Sequence, residues 1–156
     1  MSGKTELIAR NKKAEFNFHI IDKWQAGLQL TGTEIKAVRE GKVSLTDSYC
    51  FFDKGELYVK NMHIAEYSHG NIHNHEPRRT RKLLLKKREL ARLQNKIKER
   101  GFTIVPLSLF LNERGYAKLE IALARGKKSF DKRASIKEKD MQRELAKEMK
   151  HLRHRP

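Results

Sequence analysis

Four histidines crowd one stretch of this chain: His63, His69, His73 and His75, three of them within Ser68-His-Gly-Asn-Ile-His-Asn-His75. His69 and His73 stand four residues apart, the spacing that sets two imidazoles on one helix face to hold zinc. The Ser, Gly and Asn residues around them read as a loop, where that spacing no longer aligns the rings. No cysteine is near and no HExxH or CxxC pattern exists, so no metal site is expected. Nucleophile-elbow, P-loop and dinucleotide signatures are missing too, and Gly126-Lys-Lys128 lacks the glycine spacing and GK[ST] order of a Walker sequence. The carboxylates form no pair assignable as acid and base. The sequence therefore predicts neither catalysis nor a cofactor. A metal-dependent nuclease built on the histidine loop is the rival from another class, and it would cleave RNA only with a divalent cation.

The chemistry the chain does carry is cationic. Its 156 residues have a formal charge of +16, unevenly placed. Glu76–Arg100 holds eleven Lys/Arg against three acids, and Arg125–Pro156 holds twelve against five, while the remainder is nearly neutral. Two basic segments on a neutral body suit a protein that grips a polyanion at defined places. Arg78, Arg79, Arg81 and Lys82 form a tight cluster continued by Lys86, Lys87, Arg88 and Arg92, with Glu89 the only acid among them. Nearby acids are too few to neutralise that density, so a polyanion is expected there. Phe130, between Lys128 and Lys132, is placed to stack on a base. Most other phenylalanines sit inside strand-like runs and read as core; Trp24 is open to either reading.

The elements that must position these residues are mostly strands. Phe16–Ile20 and Leu28–Leu30 alternate with period two around a turn at Asp22-Lys23. Thr31 and Glu34 have capping-box spacing for a short helix ending at Gly41. Tyr49–Phe52 and Leu57–Met62 flank Asp53-Lys-Gly-Glu56 as a hairpin. Lys86–Arg100 reads as a helix with Leu90, Leu93 and Ile97 on one face, stopped by Gly101. Phe102–Leu111 and Tyr116–Ala124 are the strongest strands, and Pro106 inside the first demands an edge or a bulge. Residues 1–15 read as a loosely held arm. Cys50, in an apolar run, reads as a small core residue and fits a reducing compartment. Neither a membrane-length apolar stretch nor the apolar core of a signal peptide is present, so a soluble cytoplasmic protein is expected.

About six short antiparallel strands with two helices predict a mainly β fold: a small barrel of the oligonucleotide-binding type with flanking helices, over residues 1–125. Residues 126–156 form a basic tail whose apolar stripe, Met141, Leu145, Met149 and Leu152, is too thin to bury much area. Such a tail is expected to be disordered when free and helical against a partner. No surface stripe is wide enough to suggest an obligate dimer, so a monomer is expected.

Several motifs in register resemble one family. Asn11-Lys-Lys-Ala14, Ala26-Gly-Leu-Gln-Leu-Thr-Gly-Thr-Glu-Ile-Lys36, Arg81-Lys-Leu-Leu-Leu85, Gly126-Lys-Lys128 and Asp131-Lys-Arg133 look like the small protein B family, the tmRNA-binding (SsrA-binding) proteins of bacterial trans-translation. The resemblance implies binding to the tRNA-like domain of tmRNA and its delivery to stalled ribosomes, with no membrane and no small-molecule substrate involved. The RNA-facing surface it implies includes Asn11, Lys12, Gln25, Ala26, Gly27, Glu34, Lys36, Leu84 and Lys118, joined by Arg79, Arg81 and Lys82 of the basic cluster. The tail residues Gly126, Lys127, Lys128, Phe130, Asp131, Lys132 and Arg133 would occupy the decoding centre and the empty mRNA channel. Gln25 departs from the family's usual Glu before Ala-Gly; it keeps an acceptor, gains donors and loses charge. A generic RNA-binding or ribosomal barrel protein is the nearest alternative, and it predicts no preference for tmRNA over ordinary tRNA.

Overall fold

A computed structural model describes residues 5–69, 73–99 and 101–127. Their elements are, in chain order, β1 (Glu6–Arg10), α1 (Lys12–Asn17), β2 (Phe18–Leu28), α2 (Gly32–Arg39), β3 (Val43–Ser44), β4 (Tyr49–Asp53), β5 (Glu56–Lys60), β6 (His63–Ile64), β7 (Arg81–Leu84), α3 (Lys87–Ile97), β8 (Phe102–Leu111) and β9 (Ala117–Gly126). The fold is mainly β. All pairings are antiparallel, and in the large sheet they run in a ring from β8 through β4, β5, β7, β2 and β9 back to β8, with β1 against the far half of β8. The seam between β4 and β8 rests on one register pair, Cys50 opposite Ile104. β3 and β6 pair separately. None of the described helices is long and apolar enough to cross a membrane.

Alternation decides the interior. Ala26, Leu28, Leu57, Val59, Leu83, Ile104, Leu109, Leu119, Ile121 and Leu123 point inward and are buried together. Cys50 joins them, which confirms it as a core residue, and burial pushes its thiol pKa far up. A second cluster forms on the outer side of the β8–β9 pair, where Ala14 of α1 packs on Val105, Leu107, Ala122 and Ala124. Both faces of those strands are therefore buried at that point, which explains why they read as nearly continuous apolar runs.

Three expectations need correction. The N-terminal arm is ordered from Glu6 onward as β1 and α1; Asn11 caps α1 by accepting the Ala14 N–H at 3.3 Å, and its Nδ2 donates to the Pro106 carbonyl at 2.9 Å. The turn at Asp22-Lys23 is instead a bulge within one long strand, with the register to β9 slipping between Ile20 and Asp22. Arg81–Leu84, read only as part of a cationic cluster, is a strand between β5 and β2. α2, β4, β5, α3, β8 and β9 lie at their predicted positions with small shifts at the ends, whereas β3 and β6 were not expected, and Phe16 and Asn17, read as strand, belong to α1. Lys54 and Gly55 both adopt positive φ at the β4–β5 turn. Pro106 sits where β8 bulges against β9.

Candidate nucleic-acid interface

Gly27 of β2 lies opposite Leu84 of β7 on one side and Lys118 of β9 on the other. Their sequence neighbours Ala26, Leu83 and Leu119 are buried, so by alternation these three residues form one outward row across three strands. The row floors a concavity of about 440 Å³ whose walls come from Ile35 and Arg39 of α2 and from Arg114 and Tyr116 at the β8–β9 turn. Asn112 fixes that turn: its Oδ1 accepts the backbone N–H groups of Arg114 at 3.0 Å and Tyr116 at 2.9 Å. Leu84 is 51% exposed and Tyr116 63%, high values for an aliphatic residue and a ring. At Gly27 a Cβ would stand 3.2 Å from the Leu84 Cβ, so glycine keeps the floor low enough for a ligand to approach. Cations around an exposed leucine, an exposed ring and accessible backbone suit phosphates and base faces better than a small apolar ligand.

The row is anchored from beneath. Glu34 of α2 is fully buried; its carboxylate accepts from Arg79 Nη2 at 2.6 Å, from Arg81 Nε, and from the Thr31 N–H at 2.9 Å. Arg81 is buried as well and donates to the carbonyls of Met62 at 2.7 Å and Pro77 at 3.1 Å. Burial by itself would raise the Glu34 pKa, but the hydrogen bonds from Arg79, Thr31 and Arg81 outweigh it and hold the carboxyl below the usual range. Arg81 is the first residue of β7 and Leu84 the last, so this ion-pair cluster sets the position of one edge of the concavity.

The structure sorts the predicted residues. Gly27, Leu84 and Lys118 come together. Gln25 faces outward on the same strand, opposite Glu120, in an adjoining concavity of about 570 Å³ that shares Arg114. Lys36 is exposed on α2 with Nζ 5.5 Å from the Tyr67 ring centre, and Lys82 pairs with Glu56 at 3.6 Å. Lys12 is exposed on α1. Three residues expected at the RNA-facing surface, Ala26, Glu34 and Arg81, have no exposed surface in the free protein: Ala26 packs in the core, and Glu34 and Arg81 pair with each other. Asn11 is 7% exposed, and its cap and its bond to Pro106 make it structural; it lines a separate concavity beside Lys13 and Tyr49. The expected charge excess at 78–82 is correspondingly reduced, since Glu34 and Glu56, distant in sequence, serve Arg79, Arg81 and Lys82. His75 is likewise structural, bonded through Nδ1 to Thr33 Oγ1 and through Nε2 to the Ile64 carbonyl, each at 2.9 Å. Gly126 ends β9 and Lys127 follows it; Lys128, Phe130, Asp131, Lys132 and Arg133 lie outside the described residues.

Arg39, Arg114 and Tyr116 were not singled out from sequence. Arg114 and Tyr116 flank the glycine of a predicted hairpin turn, and a cation and a ring at such a tip were the available signal.

Comparison with known proteins points to one family. A family model described as SmpB protein matches residues 8–151. The SsrA-binding protein of Bacteroides thetaiotaomicron is 57% identical over 141 residues, covering 90% of this chain and 94% of its own. That of Phocaeicola vulgatus is 58% identical over the same shares, and that of Brucella anthropi is 52% identical over 145 residues, 93% of this chain and 92% of its own. A solved structure described as "tmRNA-SmpB: a journey to the center of the bacterial ribosome" superposes with a TM-score of 0.65 at 49% identity, covering 77% of this chain and 84% of that one. With a family match across residues 8–151 and relatives named SsrA-binding protein more than half identical over about nine tenths of the chain, this chain belongs to the SmpB protein family.

Proposed function

We propose that this protein binds the tRNA-like domain of tmRNA and carries it to stalled ribosomes for trans-translation, acting by binding and without catalysis. The observation that carries the reading is the outward row Leu84–Gly27–Lys118 with Arg39, Arg114 and Tyr116 around it, in a chain more than half identical to SsrA-binding proteins. Lysine and arginine neutralise phosphates, while Leu84 and Tyr116 pack against unstacked nucleotides. Gln25, Lys36, Arg79, Lys82 and Lys12 extend this surface as peripheral contacts. Glu34, Arg81, Asn11 and Ala26 support it from within. The ring of strand pairings with one apolar interior is read as a small barrel of the oligonucleotide-binding type.

The body comprises residues 1–125, and the tail, 126–156, takes the ribosomal role. Gly126, Lys127, Lys128, Phe130, Asp131, Lys132 and Arg133 enter the decoding centre and the vacant mRNA channel, where their positive charge meets rRNA phosphates. The protein works as a cytoplasmic monomer. Replacing Lys132 and Arg133 together by alanine tests this division of labour. The double variant should bind tmRNA like the parent and lose tagging on stalled ribosomes. Equal loss of both activities would make the tail part of the tmRNA grip.

A further inference from the structure

We infer that α3 carries a second, separate RNA-phosphate site, formed by Arg88, Arg92 and Asn95 over Trp24, and that its occupant is ribosomal RNA. This rests on the function proposed above. The helix is sharply two-sided: Leu93 is buried, Leu90 and Ile97 pack on the core, and Lys87, Arg88, Arg92 and Lys98 are exposed. The acids beside these arginines, Glu89 on the helix and Asp22 on β2, are already committed. Glu89 accepts from the Lys86 N–H at 3.0 Å as the helix cap, and Asp22 faces Lys96 at 3.7 Å. Among the described residues, neither Arg88 nor Arg92 has a carboxylate within ion-pair distance. Two arginines one turn apart on one face repel each other, so the arrangement disfavours the empty helix and favours one with an anion between them.

They also line a concavity. A hollow of about 620 Å³ between α3 and β2 is bounded by Trp24, Arg88, Glu89, Arg92 and Asn95. The guanidinium forks can take a phosphate bidentately, the Asn95 amide can donate to a further oxygen, and Trp24 offers a half-buried ring already approached by Lys96 Nζ at 5.8 Å. This hollow shares no lining residue with the Leu84–Gly27–Lys118 concavity. A protein that joins tmRNA to a ribosome must hold two RNAs at once. With one concavity given to tmRNA, the second cationic hollow fits the other RNA.

The test is the full-length double variant Arg88→Gln with Arg92→Gln, which keeps length and helix propensity and removes only exposed charge. Its binding to purified 70S ribosomes and to tmRNA is measured across a salt series, with circular dichroism as a folding control. Ribosome affinity should fall about tenfold near 0.15 M salt, and the log–log salt slope should flatten by about 1 to 2, as expected for two lost phosphate contacts. Binding to tmRNA should remain within about twofold. An unchanged ribosome slope overturns the inference, as does an equal fall in tmRNA affinity, which would merge α3 with the tmRNA surface. An acidic ribosomal protein as the occupant predicts that protein-free rRNA gives the same slope for parent and variant; that result overturns it too. Failure of the parent protein to prefer tmRNA over tRNA would instead strike at the proposed function itself.

Discussion

Replacing Glu34 by glutamine probes the anchor beneath β7. The buried carboxylate answers two guanidiniums and one backbone N–H. Glutamine preserves the shape and one acceptor but removes the charge, leaving Arg81 buried without its counter-ion. Breaking a buried pair from one side costs about 3–5 kcal/mol. The lower end applies here, because the Arg79 side chain is 37% exposed and water can replace its partner. A loss of about 3 kcal/mol, at a urea m-value of roughly 2 kcal/mol/M, moves the unfolding midpoint down by about 1.5 M at pH 7. The pH dependence identifies the cause. The folded state holds this carboxyl below the ordinary glutamate value, so its contribution is complete above about pH 4.3 and drains as pH falls through the folded pKa. Parent and variant curves should therefore converge in acid. Urea denaturation followed by circular dichroism from pH 7 down to pH 3 is the assay. A difference under about 1 kcal/mol at pH 7, or one that persists undiminished at pH 3, refutes the reasoning.

Other consequences are direct. Gly27→Ala must push Leu84 by a few tenths of an ångström, so it should cost about 1 kcal/mol of stability and, in gel-shift titrations, more than that in tmRNA affinity. Binding of tmRNA with roughly six phosphate contacts should show a log–log salt slope on the order of −4 to −5 in filter binding, and a flat response would refute the electrostatic account. Cys50, buried and with its thiol pKa raised, should react with a thiol reagent at pH 8 only as fast as the body unfolds. Rapid labelling of native protein would contradict its place in the core.

What was legible in sequence was what local pattern encodes. The β8–β9 hairpin announced itself through two apolar runs around a polar turn, and α3 through Leu90, Leu93 and Ile97 on one face. The missing elements had no such signature. β1 is a largely exposed edge strand, so its residues carry no clean alternation. β2 hid because its bulge at Ile20–Asp22 breaks the period and imitates a turn. β7 was masked by its charge: Arg81 looks like a surface cation until Glu34, 47 residues away, is found buried against it. The same limit applies to the interface. Family motifs pointed to Gly27, Leu84 and Lys118, whereas Arg39, Arg114 and Tyr116 join them only through the register of β7, β2 and β9 and the packing of α2. Motif membership also mixed surface with support, as the buried Ala26, Glu34 and Arg81 illustrate.

The central claim is that the body recognises tmRNA without help from the tail. A competition titration at physiological salt, setting the tRNA-like domain of tmRNA against ordinary tRNA, tests it most directly when run for the full chain and for a chain cut after Ser129. The account predicts a strong preference for tmRNA that survives the cut. No preference, or one lost with the tail, would contradict it and leave a general basic RNA binder.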